Sequence, residues 1–73
     1  MSHILDARGK SCPLPIVLLA RTIRDLDRGE TLVIQANDRA FPEDAQACCR
    51  KTGNELVEMR ELDSFFEATV RKG

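Results

Sequence analysis

The chain has 73 residues, 42% of them hydrophobic, and its 11 basic and 12 acidic residues leave a net charge of -1. This length suits a single small domain over residues 1–73, one that buries about 60% of its unfolded surface. The near-neutral balance excludes a general electrostatic attraction to nucleic acid or to anionic membranes.

Taken in order, His3-Ile4-Leu5-Asp6-Ala7 reads as a short first strand, followed by a loop, Arg8-Gly9-Lys10-Ser11. From Pro15, apolar residues at Ile16, Leu19, Ala20, Ile23 and Leu26 have the spacing of an amphipathic helix, with Gly29 as its expected end. Thr31–Ala36 is a β-branched run and the clearest strand signal. Pro42 opens a second helix with Glu43 and Asp44 in its first turn. Its inner face is expected to carry Ala45, Cys48, Cys49 and Thr52, and Gly53 to close it. Glu55–Met59 alternates less cleanly but reads as a third strand, and Phe65–Val70 as a fourth after a turn. With no tryptophan, no tyrosine and three phenylalanines, the core is expected to be aliphatic.

The predicted order is β-α-β-α-β-β. Two crossovers imply parallel pairing of the first three strands, and the last turn implies an antiparallel hairpin. Both helices are expected on one face of a mixed four-stranded sheet, an α/β two-layer sandwich.

The three cysteines stand at 12, 48 and 49, with no C-x-x-C and no metal-ligand spacing. Free thiols in a reducing cytosol follow, with neither metal nor organic cofactor. Met1–Asp6 is too short and polar for a signal peptide, and no apolar run approaches the ~20 residues needed to span a membrane. The expected location is cytoplasmic.

Cys12 is the chemically informative thiol. It precedes Pro13-Leu14-Pro15, and prolines belong in the first turn of a helix, where the N–H they lack has no partner. The helix is expected to begin at Pro13 or at Pro15. A cysteine there faces unpaired N–H groups and the positive end of the helix dipole. That setting stabilises a thiolate by ~0.3–1 kcal/mol, well under one pKa unit, so the thiol is mildly activated. A mild shift suits sulfur exchange, because a very acidic thiol is a weaker nucleophile. Arg8 and Lys10 lie close upstream as possible electrostatic support, and Leu14 is an exposed candidate for docking.

The run Leu5-Asp6-Ala7-Arg8-Gly9-x-x-Cys12-Pro13-x-Pro15 resembles the signature of the TusA/SirA/YedF-like sulfur carriers. A second block, Leu32 to Asp38, then Asp44, Cys49-Arg50, Gly53 and Leu56, resembles that family's second strand and helix. The resemblance implies a fold like the C-terminal domain of translation initiation factor three. It also implies a cysteine, Cys12 here, that accepts sulfane sulfur as a persulfide. Implied donors are a cysteine desulfurase or a rhodanese-like enzyme, and implied acceptors include DsrE-like proteins. The sulfur would serve tRNA thiolation, molybdenum-cofactor maturation or sulfur metabolism. Such a protein is a monomeric carrier rather than a stand-alone multi-turnover enzyme, with no direct contact to nucleic acid. Leu14 replaces an acidic residue common in members serving tRNA thiolation, and Cys48 replaces a common aromatic. Both departures bear on the pathway rather than on the carrier chemistry.

Other readings compete at single positions. Cys48 and Cys49 suit core packing. His3 reads as a surface residue without a partner. Asp38 either bonds its own turn or shapes the surface around Cys12. Two other functions are a nucleic-acid-binding module of similar fold and a thiol redox regulator pairing Cys12 with Cys48 or Cys49. The first is weakened by the charge balance and the scarcity of stacking aromatics. The second is weakened by the placement of both cysteines about two turns, roughly 9–10 Å, into their helix.

Overall fold

The computed structural model describes residues 2–11 and 13–73. They form β1 (Ser2–Asp6), α1 (Leu14–Arg24), β2 (Thr31–Ala36), α2 (Phe41–Thr52), β3 (Glu55–Glu61) and β4 (Phe66–Arg71). This is the expected α/β two-layer sandwich, with the expected order of elements. Strand β2 shows how the layers arise. Leu32, Ile34 and Ala36 alternate into the core, while Thr31, Val33 and Gln35 face the open side of the sheet.

The sheet order is β1-β2-β4-β3. Only β1 and β2 pair in parallel, with Leu5 opposite Ile34. The expected pairing of β2 with β3 is therefore corrected, because β4 lies between them. It pairs antiparallel with β2 through Ile34 and Ala68, and antiparallel with β3 through Met59 and Ala68. The first three strands still run in one direction, as two crossovers require. Filling the gap between β2 and β3 gives β4 ladder partners on both edges, which a simple hairpin extension would not. A register shift between Leu56 and Glu58 explains the poor alternation of β3. It leaves Val57 exposed while Leu56 and Met59 pack on the core.

Both helices pack on one face of the sheet. Leu19 and Ile23 of α1 and Phe41, Ala45 and Cys49 of α2 meet Leu32, Ile34, Ala68 and Val70. The core is not purely aliphatic. Phe41 is 1% exposed and is the largest fully buried side chain, placed there as the first residue of α2. Within α2, Ala45 and Cys49 are buried and Cys48 is half-buried. Thr52 is exposed rather than inward. Its hydroxyl donates to the Cys48 carbonyl at 2.7 Å, a local bond that keeps it on the surface.

Helix α1 ends at Arg24, short of the expected Gly29. The cause comes from the far end of the chain. Lys72 Nζ donates to the Ile23 and Arg24 carbonyls at 3.1 and 3.2 Å, satisfying the helix end and placing a cation there. Gly53 closes α2 as expected, in the left-handed conformation at φ 74°. Among the described residues, no helix is long and apolar enough to cross a membrane.

Candidate functional site at the start of the first helix

Because β1 and β2 are parallel, the two loops that follow them lie at one edge of the sheet. The first of these loops leads to Cys12 and α1, the second to α2. Gly9 has φ 82°, and its N–H donates to Asn37 Oδ1 at 3.0 Å, tying the first loop to the second. Asp38 holds the second loop by itself. Its Oδ1 accepts from the Ala40 N–H at 3.0 Å, and its carbonyl accepts from the Phe41 N–H at 3.0 Å. Lys10, Ser11 and Asp38 share one shallow depression with Gly9 and Asn37. The Asp38 turn reading and its placement near the first loop are therefore compatible.

Arg8 is not a free positive charge. Its Nε and Nη2 donate to the two Asp6 carboxylate oxygens at 3.0 and 3.1 Å, and its backbone N–H donates to Oδ1 at 3.0 Å. Its guanidinium also lies 5.2 Å from the Phe65 ring centroid. The Arg8 side-chain hydrogen bonds, reinforced by its backbone N–H, pull the Asp6 pKa from 3.8 down to about 2. The same pairing raises the Arg8 pKa further. Lys10 is exposed and adds a smaller positive field to Asp6.

Cys12 lies outside the described residues. The Leu14 N–H donates to the Ser11 carbonyl at 2.9 Å, linking the two sides of position 12. Pro13 is the N-cap residue, at φ -97° and ψ 15°, and helix α1 starts at Leu14 with Pro15 in its first turn. The Pro13 carbonyl accepts from the Ile16 and Val17 N–H groups at 3.1 and 3.0 Å. Two prolines thus set the backbone of the first turn while costing no hydrogen bond the helix needs. Among the described residues, no side chain caps this helix by hydrogen bonding, and its first turn contains no acidic residue. Leu14 is 41% exposed and Val17 40%, so an apolar surface stands beside this helix start.

The two other thiols are less acidic than usual. Desolvation raises the Cys48 pKa, with Lys51 opposing it. Desolvation, helped by neighbouring Cys48, pushes Cys49 from 9.0 up to about 11. His3 has a partner, contrary to expectation. Its Nε2 lies 3.3 Å from Glu30 Oε2, at the opposite end of β1 from the loops. Among the described residues, no group of three or more His, Cys, Asp or Glu side chains is placed to hold a metal. Sequence reasoning missed two residues of this edge. The Asp6–Arg8 pair had a visible i, i+2 signal, whereas the Asn37 bond to Gly9 joins positions 28 apart and has no local signal.

The family model described as Sulfurtransferase TusA matches residues 3–72. Proteins named as sulfur carriers in Neisseria meningitidis serogroups A and B are each 36% identical over 70 residues, covering 96% of this chain and 95% of the relative. The protein YrkF of Bacillus subtilis, also named as a sulfur carrier, is 36% identical over 70 residues, which are 38% of its own length. In three dimensions the chain is similar to a SirA-like protein from Desulfitobacterium hafniense. The TM-score is 0.86 over 97% of each chain, at 22% identity, a likeness of fold. Through the match over residues 3–72 and these relatives, the chain belongs to the TusA family of sulfurtransferases.

Proposed function

We propose that the chain is a single-domain sulfur carrier whose working group is the Cys12 thiolate. The thiolate attacks the outer sulfur of a persulfide on a donor protein. The donor S–S bond breaks, the donor cysteine leaves as a thiolate, and Cys12 holds the transferred sulfur as a persulfide. An acceptor thiolate then attacks that outer sulfur and releases the Cys12 thiolate. Each step exchanges one S–S bond for another, so no outside oxidant is required. Donors of the cysteine desulfurase or rhodanese-like class and thiol acceptors of the DsrE-like class fit this chemistry. The end use in tRNA thiolation, molybdenum-cofactor maturation or sulfur metabolism follows from the acceptor.

The observation that carries this reading is the contrast among the thiols. Cys48 and Cys49 are desolvated and hold their protons more tightly than usual. Cys12 directly precedes the N-cap of a helix whose first turn offers no carboxylate to occupy its positive end. Pro13 and Pro15 stiffen the adjoining backbone. Lys10 and Asp38 shape the neighbouring depression, and Leu14 supplies apolar surface for docking.

Incubation with a cysteine desulfurase and cysteine tests this. The wild-type chain is expected to gain the mass of one sulfur atom, as is a Cys48→Ala, Cys49→Ala variant, while Cys12→Ala gains none. Sulfur retained by Cys12→Ala overturns the assignment.

One observation favours a second reading, a redox thiol pair. Cys48 lines the same groove as Pro13, the neighbour of Cys12. Treatment with a thiol oxidant such as diamide is then expected to remove two hydrogens from the monomer, a loss blocked by Cys48→Ala.

A further inference from the structure

Helices α1 and α2 pack side by side and leave a groove along their outer surface. Near the start of α1 it is lined by Pro13 and Ile16, facing Asp44, Ala47 and Cys48 of α2. Near the end of α1 it is lined by Ala20, Ile23 and Arg24, facing Asn54 and Lys72. Thr52 borders both stretches. The floor is apolar and half-open, with Ile16, Ala20, Ala47 and Cys48 each partly exposed.

Charge is distributed unevenly around this floor. Arg21, Arg24, Lys51 and Lys72 border it, against the single carboxylate of Asp44, a net of +3. The remaining 7 basic and 11 acidic residues, out of 11 and 12 in the whole chain, net -4. A chain of net charge -1 has therefore collected a cationic border on this interhelical face. Lys72 is engaged with the α1 terminal carbonyls, and Arg24 lies 3.8 Å from Asp25. Arg21 and Lys51 are exposed at the edges of the groove.

We propose that this groove docks an acidic amphipathic helix of a partner protein, its apolar side on the floor and its carboxylates towards Arg21, Arg24 and Lys51. A helix in a groove between two helices buries apolar anchors at i, i+3 and i+4 spacing, which suits a floor of Ile16, Ala20, Ala47 and Cys48. Helix α1 is 11 residues long, about three turns or roughly 16 Å, and the two stretches lie beside its start and its end. The cationic border supplies orientation and encounter rate for a negatively charged segment. The proposal rests on the reading that Cys12 exchanges sulfur with other proteins, because the groove begins at Pro13 and would hold a partner beside that thiol. Single-stranded RNA is the competing anion, and the near absence of aromatic surface in the groove disfavours it.

The probe is a labelled synthetic peptide with leucines along one helical face and glutamates along the other. We expect saturable binding to the wild-type chain at low salt, weakening as salt rises. We expect the bound peptide to slow alkylation of Cys48 in the groove floor. The R21E/R24E variant is expected to bind about tenfold or more weakly, since each exposed pair turns from attraction to repulsion. Ala47→Glu should weaken binding from the floor side, with circular dichroism showing that both variants stay folded. The overturning results are equal binding of a lysine-for-glutamate peptide, binding that leaves Cys48 alkylation unchanged, or tighter binding of a single-stranded RNA oligomer. Cys12→Ala should bind the peptide like wild type while taking no sulfur. A chain that binds the peptide but carries no sulfur on Cys12 would refute the carrier reading and not the groove.

Discussion

The starts of α1 and α2 are built from similar parts and put to opposite uses. Both follow parallel strands, both carry proline in the first turn, and neither has a side-chain capping bond among the described residues. The start of α2 is closed. Phe41 is buried in the core, Asp38 holds the preceding turn, and Glu43 and Asp44 offset the positive helix end. The start of α1 is open. Its first turn shows Leu14 and Val17 to solvent and has no acidic residue. One helix start is closed into the domain, and the other, on the reading proposed above, leaves its positive end to the Cys12 thiolate.

The sharpest break in this comparison comes from truncating one side chain at each start. Phe41→Ala is expected to cost about 3–5 kcal/mol by cavity formation. In a domain this small, that lowers Tm by at least about 12 °C in a thermal melt. Leu14→Ala should stay within about 0.5 kcal/mol of wild type and instead slow sulfur exchange with a protein partner. Equal losses of stability at the two positions would erase the distinction.

Cutting the tie between the two loops has the next largest effect. Asn37→Ala removes the acceptor of the Gly9 N–H and is expected to cost about 0.5–1.5 kcal/mol. Hydrogen exchange should show faster exchange at Gly9 with little change in β2.

Exchanging the charges of the two starts sharpens the comparison further. Leu14→Glu is expected to stabilise α1 by about 0.3–1 kcal/mol, and Glu43→Gln to destabilise α2 by a similar amount. Leu14→Glu should also slow alkylation of Cys12 at pH 7, by less than tenfold, because a carboxylate now shares the positive helix end.

The smallest effect is one of pH. Asp6 has a lowered folded pKa, about 2 against an ordinary 3.8. Its stabilisation is therefore fully present above pH ~4 and lost as pH falls through about 2. The lowered pKa of Glu30 acts in the same direction. Acid melts of Asp6→Asn should flatten this part of the profile relative to wild type. Burial of Cys49 works at the other end, where stability is lost as pH rises from about 9 through about 11.

Local chemistry made much of this fold legible. The β-branched run of β2 and the αL glycine after α2 were readable because their causes lie within a few residues. The long-range features were not. The insertion of β4 between β2 and β3 depends on a ladder across the whole sheet. The early end of α1 depends on Lys72, 48 residues beyond Arg24. Phe41 lies one residue before the helix pattern that Pro42 opens, so its burial has no signal in that pattern, and His3 meets Glu30 only through the pairing of β1 with β2. At the site, α1 begins at Leu14 with Pro13 as its N-cap residue, between the two expected starts at Pro13 and Pro15. The support expected from Arg8 is instead committed to Asp6 and Phe65, through contacts that folding creates.

The most direct test lets the three thiols of the wild-type chain compete for limiting sulfane sulfur from a cysteine desulfurase at neutral pH. Peptide mapping by mass spectrometry then locates the sulfur. The account predicts it on the peptide containing Cys12, with Cys48 and Cys49 unmodified. Sulfur arriving first on the Cys48–Cys49 peptide would contradict it.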